Sequence, residues 1–175
     1  MFTHLVLTII GLDRPGLVQL VASRVADHGG NWLESRMCHL SGQFAGIARV
    51  EVPTERVSEV RQALKRLETE GLRVSVDTGE GSKLVVGGIS ATIELVGHDR
   101  PGILRNVTSV LAAHGVNVEE LSSECISAPM GGGTLFQARV RVSVPATVRL
   151  EAVRADLEKI AADLMVDLTL RPVSG

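Results

Sequence analysis

The chain has 175 residues, room for one large domain or two small ones. Eighteen Lys and Arg stand against twenty Asp and Glu, a formal charge of −2 with both signs interspersed, which excludes the basic stripe of a nucleic-acid surface. Phe2, Phe44, Phe136 and Trp32 are the only aromatics, which excludes a base-stacking platform, and no run of about 18 apolar residues exists to span a membrane.

Met1-Phe2-Thr3-His4 lack a charged segment leading into a long apolar stretch, so no signal peptide is expected, and the expected location is cytoplasmic. Leu5 to Ile10 form a nearly continuous apolar run, as in a central strand. Pro15 suits the first turn of a following helix, where its missing N–H is not needed. Leu17, Leu20, Val21 and Val25 make one face of that helix, and Gly29-Gly30 end it. Asn31 to Leu40 reads as a strand, Ser41-Gly42-Gln43 as a turn, and Phe44 to Val52 as the returning strand, stopped by Pro53. Val57, Val60, Leu64 and Leu67 mark a second helix ending at Gly71, and Leu72 to Val76 is a last strand. The Gly-rich stretch 79–89 reads as a linker.

The same order then returns. Ala91 to Val96 is a strand; Ile103, Val107, Val110 and Leu111 are a helix face. Asn117 to Ile126 and Leu135 to Val144 form a hairpin closed by Pro145. Leu150, Val153, Leu157 and Ile160 mark the second helix, and Val166 to Leu170 the final strand. The internal repeat is explicit: Gly11-Leu12-Asp13-Arg14-Pro15-Gly16 recurs as Gly97-His98-Asp99-Arg100-Pro101-Gly102, and His28-Gly29 and Asn31 recur as His114-Gly115 and Asn117. The offset between repeats grows inside the second hairpin, at Ala128 to Gly133, where a surface insertion is tolerated. Two β-α-β-β-α-β units predict an α+β chain of two ferredoxin-like folds, over 1–78 and 90–175. Each is a four-stranded antiparallel sheet with both helices on one face, and the other face must be covered or polar.

The D-R-P-G turn is the sharpest feature. It leads from a strand into a helix N-terminus, whose first N–H groups lack partners and whose dipole favours anions. Gly16 and Gly102 let a carboxylate approach the backbone. Asp13 and Asp99 either bond helix N–H groups or face a ligand ammonium, and a merely well-made helix start is the competing account. Asn31 and Asn117 offer an amide to a zwitterion, or serve as turn residues. His28 and His114 are expected to meet the free carbonyls at the end of the first helix of each repeat. His98, in place of Leu12, is expected as an exposed loop residue that makes the two turns chemically different. Cys38 and Cys125 have no metal-ligand or C-x-x-C spacing and are expected as buried free thiols. Gly131-Gly132-Gly133 sits in a hairpin and fails as a phosphate loop; Glu119-Glu120 reads as a solvated strand edge.

An apolar strand, D-R-P-G, an apolar helix, His-Gly and Asn, inside β-α-β-β-α-β and in tandem, resembles the ACT domain, a small regulatory module that binds amino acids. A free-standing pair of this length is similar to the glycine cleavage system transcriptional repressor family, as are the stretches Asn31 to Met37 and Leu121 to Pro129. The resemblance implies a small amino acid ligand, glycine or serine foremost, with no catalysis, cofactor or metal. It implies a homo-oligomer that acts on a regulatory protein partner, an activator, with no direct nucleic-acid binding and no membrane. By position it implies a ligand site at Leu12, Asp13, Pro15, Gly16, Leu17 and Asn31, and at His98, Asp99, Pro101, Gly102, Ile103 and Asn117, with ligand lying between two ACT domains. The alternative is a ligand-independent tandem scaffold for oligomerisation or partner binding.

Overall fold

The structure, a computed structural model, describes residues 1–79, 88–129 and 132–173. Its contacts divide into two compact units, Met1–Ser82 and Lys83–Gly175. The expected linker 79–89 lies, for residues 80–87, outside the described residues, and so do residues 130 and 131 of the expected hairpin insertion.

Unit 1 contains β1 (Phe2–Leu12), α1 (Leu17–Ala26), β2 (Asn31–Leu40), β3 (Gln43–Pro53), α2 (Val57–Lys65) and β4 (Leu72–Thr78). Unit 2 contains β5 (Ile89–His98), α3 (Ile103–Ala113), β6 (Asn117–Ser127), β7 (Thr134–Val144), α4 (Leu150–Leu164) and β8 (Val166–Pro172). Each sheet is antiparallel and four-stranded, ordered β2-β3-β1-β4 and β6-β7-β5-β8. Both units are ferredoxin-like and α+β, as the repeated pattern predicts.

The first strand of each repeat is central, and its burial alternates although its sequence is nearly all apolar. Leu5, Leu7 and Ile9 are buried, with Leu17, Val21 and Val25 of α1 and Val60 and Leu64 of α2 in the same core. Ile93 and Leu95 occupy the same places in unit 2, against Ile103, Val107 and Leu111 of α3 and Val153 and Leu157 of α4. The second helix of unit 1 is shorter than its apolar spacing predicts: after Lys65 the chain tightens into a 3₁₀ turn, Arg66–Glu70, which still buries Leu67 and ends on left-handed Gly71.

The faces turned away from the helices carry charge pairs in both units, Arg49 with Glu34 at 3.5 Å in unit 1. In unit 2 this face carries charge pairs: Arg139 with Glu94 at 3.4 Å, and Arg141 with Glu119 at 3.3 Å and Glu120 at 3.0 Å. The Glu119-Glu120 pair is thus a solvated strand edge, paired with an arginine. In unit 1 one half of the open face is apolar, with Ile10, Leu12, Leu40 and Ile47 all exposed.

The two sheet margins also differ. On one side an arginine of the second helix reaches over the short outer strand: Arg61 donates to the Val76 carbonyl, and Arg154 to the Leu170 carbonyl at 3.0 Å. On the other side β2 and β6 are long outer strands, each broken by a register shift, at Trp32/Glu34 and at Val118/Glu120.

Both thiols lie on those outer strands and are exposed and free, which corrects the expectation of burial. Small apolar character favours a buried cysteine only where topology puts the strand inside, and the sheet order leaves β2 and β6 outermost.

Candidate functional site

The strand-helix turns are built alike. Gly16 has φ 90 and ψ 0 and stands just before α1; Gly102 has φ 94 and ψ −2 before α3. These angles are those of the third position of a type II turn, with proline ahead of it. Pro15 and Pro101 therefore precede the helix and do not occupy its first turn as expected. A Pro-Gly turn and a proline at the first helical position use the same fixed φ, so the sequence alone does not separate them.

The consequence is an uncapped helix start. Neither glycine is accompanied by a side-chain hydrogen bond to the helix N–H groups. The first bonds back are Leu20 N–H to the Gly16 carbonyl and Asn106 N–H to the Gly102 carbonyl, both 3.0 Å. Asp13 and Asp99 instead anchor the turn through their backbone, donating N–H to the Gly42 and Thr134 carbonyls at 2.9 Å. The helix-capping role open to these aspartates is absent, and both carboxylates are exposed. Nothing lies within 4 Å of the position a Cβ would take at Gly16. In unit 1 the Arg14 guanidinium donates to the Glu70 carbonyl at 2.8 Å and ties the turn to the α2–β4 junction.

Leu12, Asp13, Pro15, Gly16 and the buried Leu17 thus gather at one end of unit 1, and His98, Asp99, Pro101, Gly102 and buried Ile103 at the same end of unit 2. His98 is the last residue of β5, exposed as expected but in the strand. Asn31 is elsewhere. It pairs with Glu51, which pairs with His4, eight residues down β1 from Leu12. That is about 26 Å along the strand. Asn117 pairs with Ser143 and so with Ser90, equally far from His98. Within one unit the turn and the asparagine occupy opposite ends of the sheet. Asn31 there donates to Glu51 Oε1 at 3.3 Å, with His4 Nε2 3.8 Å from the same carboxylate group.

The histidines diverge. His28 Nδ1 donates to the Arg24 carbonyl at 2.7 Å, the expected helix-end contact. His114 does otherwise: its Nε2 meets Asp156 Oδ2 of α4 at 2.8 Å. Unit 1 has Ala63 at the place of Asp156 in the second helix, so at that place unit 2 alone has a carboxylate. A cleft of about 480 Å³ between α1 and α2, lined by Arg24, Asp27, His28, Glu59 and Arg66 among others, lies at the far end of α1 from the turn.

Asn106 stands outside the recurring motif yet belongs to the second turn. Its Nδ2 lies 4.0 Å from where a Cβ would sit on Gly102. The signal in the sequence is its spacing of four from that glycine, since helical side chains lean toward the N-terminus. Among the described residues no group of three or more His, Cys, Asp or Glu is arranged to hold a metal, and no helix is long and apolar enough to cross a membrane.

Residues 3–77 and residues 91–162 each match the ACT domain. A UPF0237 protein of Methanopyrus kandleri is 32% identical over 82 residues, 46% of this chain and 84% of its own length. The glycine cleavage system transcriptional repressor of Escherichia coli is 24% identical over 167 residues, 94% of this chain and 85% of its own length. The crystal structure of an unknown protein from Galdieria sulphuraria is similar with a TM-score of 0.89 and 29% identity, covering 99% of this chain and 100% of that one. With a match in each of its two units, the chain belongs to the ACT domain family.

Proposed function

We propose that this chain is a non-catalytic regulatory protein that binds a small amino acid at its D-R-P-G turns and passes the bound state to a protein partner. Glycine and serine are the foremost ligands. The reading rests on one observation, the pair of uncapped helix starts, each behind a left-handed glycine open to solvent. Their N–H groups and dipole suit a carboxylate, and Asp13 or Asp99 beside them suits an ammonium. The E. coli relative, a transcriptional repressor of the glycine cleavage system, supports a regulatory role; the protein partner we propose is an activator. We assign the two binding domains to 1–78 and 90–175.

About 26 Å separate Asn31 from its own turn along β1. The turn and the asparagine of one unit therefore do not meet at one small ligand. A ligand at a turn shifts the chain toward whichever of its states binds it better, and that shift is the quantity a partner protein reads.

Calorimetric titration of the full chain with each proteinogenic amino acid tests this. Saturable binding by one or two, lost in Asp13→Ala/Asn31→Ala or Asp99→Ala/Asn117→Ala with the fold intact, is expected. Binding that survives both double variants sinks the site assignment. The apolar half-face of Ile10, Leu12, Leu40 and Ile47 favours the second reading, a ligand-independent scaffold. Silence across all amino acids, with a stable complex formed through that face, selects it.

A further inference from the structure

The cleft between α1 and α2 of unit 1 has no counterpart of the same chemistry in unit 2. By the repeat, its lining residues Arg24, Asp27, Glu59 and Gln62 become Val110, Ala113, Ala152 and Ala155. His28 recurs as His114, but there Asp156 meets Nε2 at 2.8 Å, where unit 1 has only the methyl of Ala63. At about 480 Å³ the cleft has the volume of a small-ligand site.

Its charges are ordered. β1 and β3 run antiparallel and each leads into a helix on the same core, so α1 and α2 also run antiparallel. The His114–Asp156 contact sets the level of the paired helices and puts His28 opposite Ala63. From that level Arg24 lies about 6 Å along α1 and Arg66 about 4.5 Å past Ala63, toward the same end. Arg24 Nη2 reaches Glu70 Oε1 at 3.6 Å, in keeping with that placement. Glu59 lies about 6 Å the other way, with Asp27 and Gln62 near the middle. Two cations thus share one end and an acid stands at the other. Among the described residues no ion pair joins any two of these side chains. His28 Nδ1 donates to the Arg24 carbonyl, so Nε2 is left to accept, and it has no partner among those residues.

We infer that this cleft binds a short peptide with free termini, its carboxylate between Arg24 and Arg66 and its ammonium at Glu59. An α-amino acid holds its two charges about 3 Å apart, and each further extended residue adds about 3.5 Å. A tripeptide, at about 10 Å, therefore spans the cleft from arginines to acid, and a single amino acid does not. The middle suits the peptide groups: His28 Nε2 accepts from an N–H, and the Gln62 amide donates and accepts. The two guanidinium groups hold the carboxylate by charge-assisted bonds. The site lies at the other end of α1 from the D-R-P-G turn and does not depend on binding there.

Triglycine is the probe, titrated calorimetrically into the full chain. Beside it stand N-acetyltriglycine, which lacks the ammonium, and triglycine amide, which lacks the carboxylate. Triglycine is expected to bind about tenfold more tightly than either blocked form. Arg66→Gln and Glu59→Gln, both at exposed positions, should each weaken it about tenfold, the size of one hydrogen bond to a charged group. Ala63→Asp copies unit 2, gives His28 Nε2 a carboxylate, and is expected to abolish triglycine binding. Its urea transition, followed by Trp32 fluorescence, should match the wild type; if it falls, the two exposed variants decide alone. No binding of triglycine, equal binding of the blocked forms, or an affinity unmoved by both Arg66→Gln and Glu59→Gln overturns this inference and leaves amino-acid binding at the turns standing.

Discussion

Gly16→Ala separates the conformation of the turn from its packing. At φ 90 and ψ 0 an alanine is strained by about 1–2 kcal/mol. The reduced freedom of the unfolded chain returns about 0.4–1 kcal/mol. No atom lies within 4 Å of the new methyl, so no clash is added. The net loss is about 1 kcal/mol, or about 4–8 °C in Tm for a unit of this size. Gly30→Ala is the contrast. Its Cβ would stand 2.7 Å from Val25 Cγ1, 2.8 Å from Val52 Cγ1 and 2.9 Å from the Val25 carbonyl, all part of a packed core. Overpacking of that kind costs about 1–3 kcal/mol or more. The assay is urea unfolding followed by tryptophan fluorescence, because Trp32 is the chain's single tryptophan and packs against the core of unit 1. The fluorescence transition therefore reads unit 1 alone. Gly16→Ala should unfold at higher urea than Gly30→Ala, yet lose amino-acid binding in unit 1, since its methyl fills the approach to the helix N–H groups. A loss above about 3 kcal/mol for Gly16→Ala would mean that the turn is packed and not open. Gly16→Asn, which tolerates the left-handed region, should be the milder of the two turn substitutions.

Leu157→Ala removes a side chain with no solvent exposure from the core of unit 2 and should cost about 2–5 kcal/mol in chemical denaturation monitored by circular dichroism, with the Trp32 signal of unit 1 left unmoved. Cys38 and Cys125 should both react with a thiol reagent in the native chain, at rates that unfolding in urea raises little; one protected thiol would place its strand away from the sheet margin. His28→Ala removes the bond to the Arg24 carbonyl and should cost about 1 kcal/mol, read as a shift of the same fluorescence transition. Arg154→Ala frees the Leu170 carbonyl on the outer strand and should raise self-association at high protein concentration, seen by light scattering; unchanged scattering would show that the arginine is not what protects this margin.

The element order and the two cores were legible because period carries them. Leu17, Val21 and Val25 recur with helical spacing and bury as read, whereas the nearly continuous apolar run Leu5 to Ile10 marks a strand without telling that Leu5, Leu7 and Ile9 are its core-facing residues. The recurrence of D-R-P-G located the turns directly. What stayed hidden depends on direction and on neighbours distant in sequence. Asn31 follows the turn closely in the chain, but the intervening helix carries it back to the opposite end of the sheet. The exposure of Cys38 and Cys125 follows from strand order, which no local pattern states. His114 departs from His28 because of Asp156, 42 residues further on. The place of Pro15 was ambiguous for a local reason, since turn and helix start ask the same φ of it.

The arginines that reach over β4 and β8 give each sheet a valence. A sheet with two bare margins is a monomer of indefinite growth, adding strands on either side until a fibre forms. With Arg61 and Arg154 occupying carbonyls on one margin, each sheet keeps a single side able to add a strand. Pairing through that side consumes it for that sheet, and the chain, with two sheets, keeps two such sides, β2 and β6, each able to pair once.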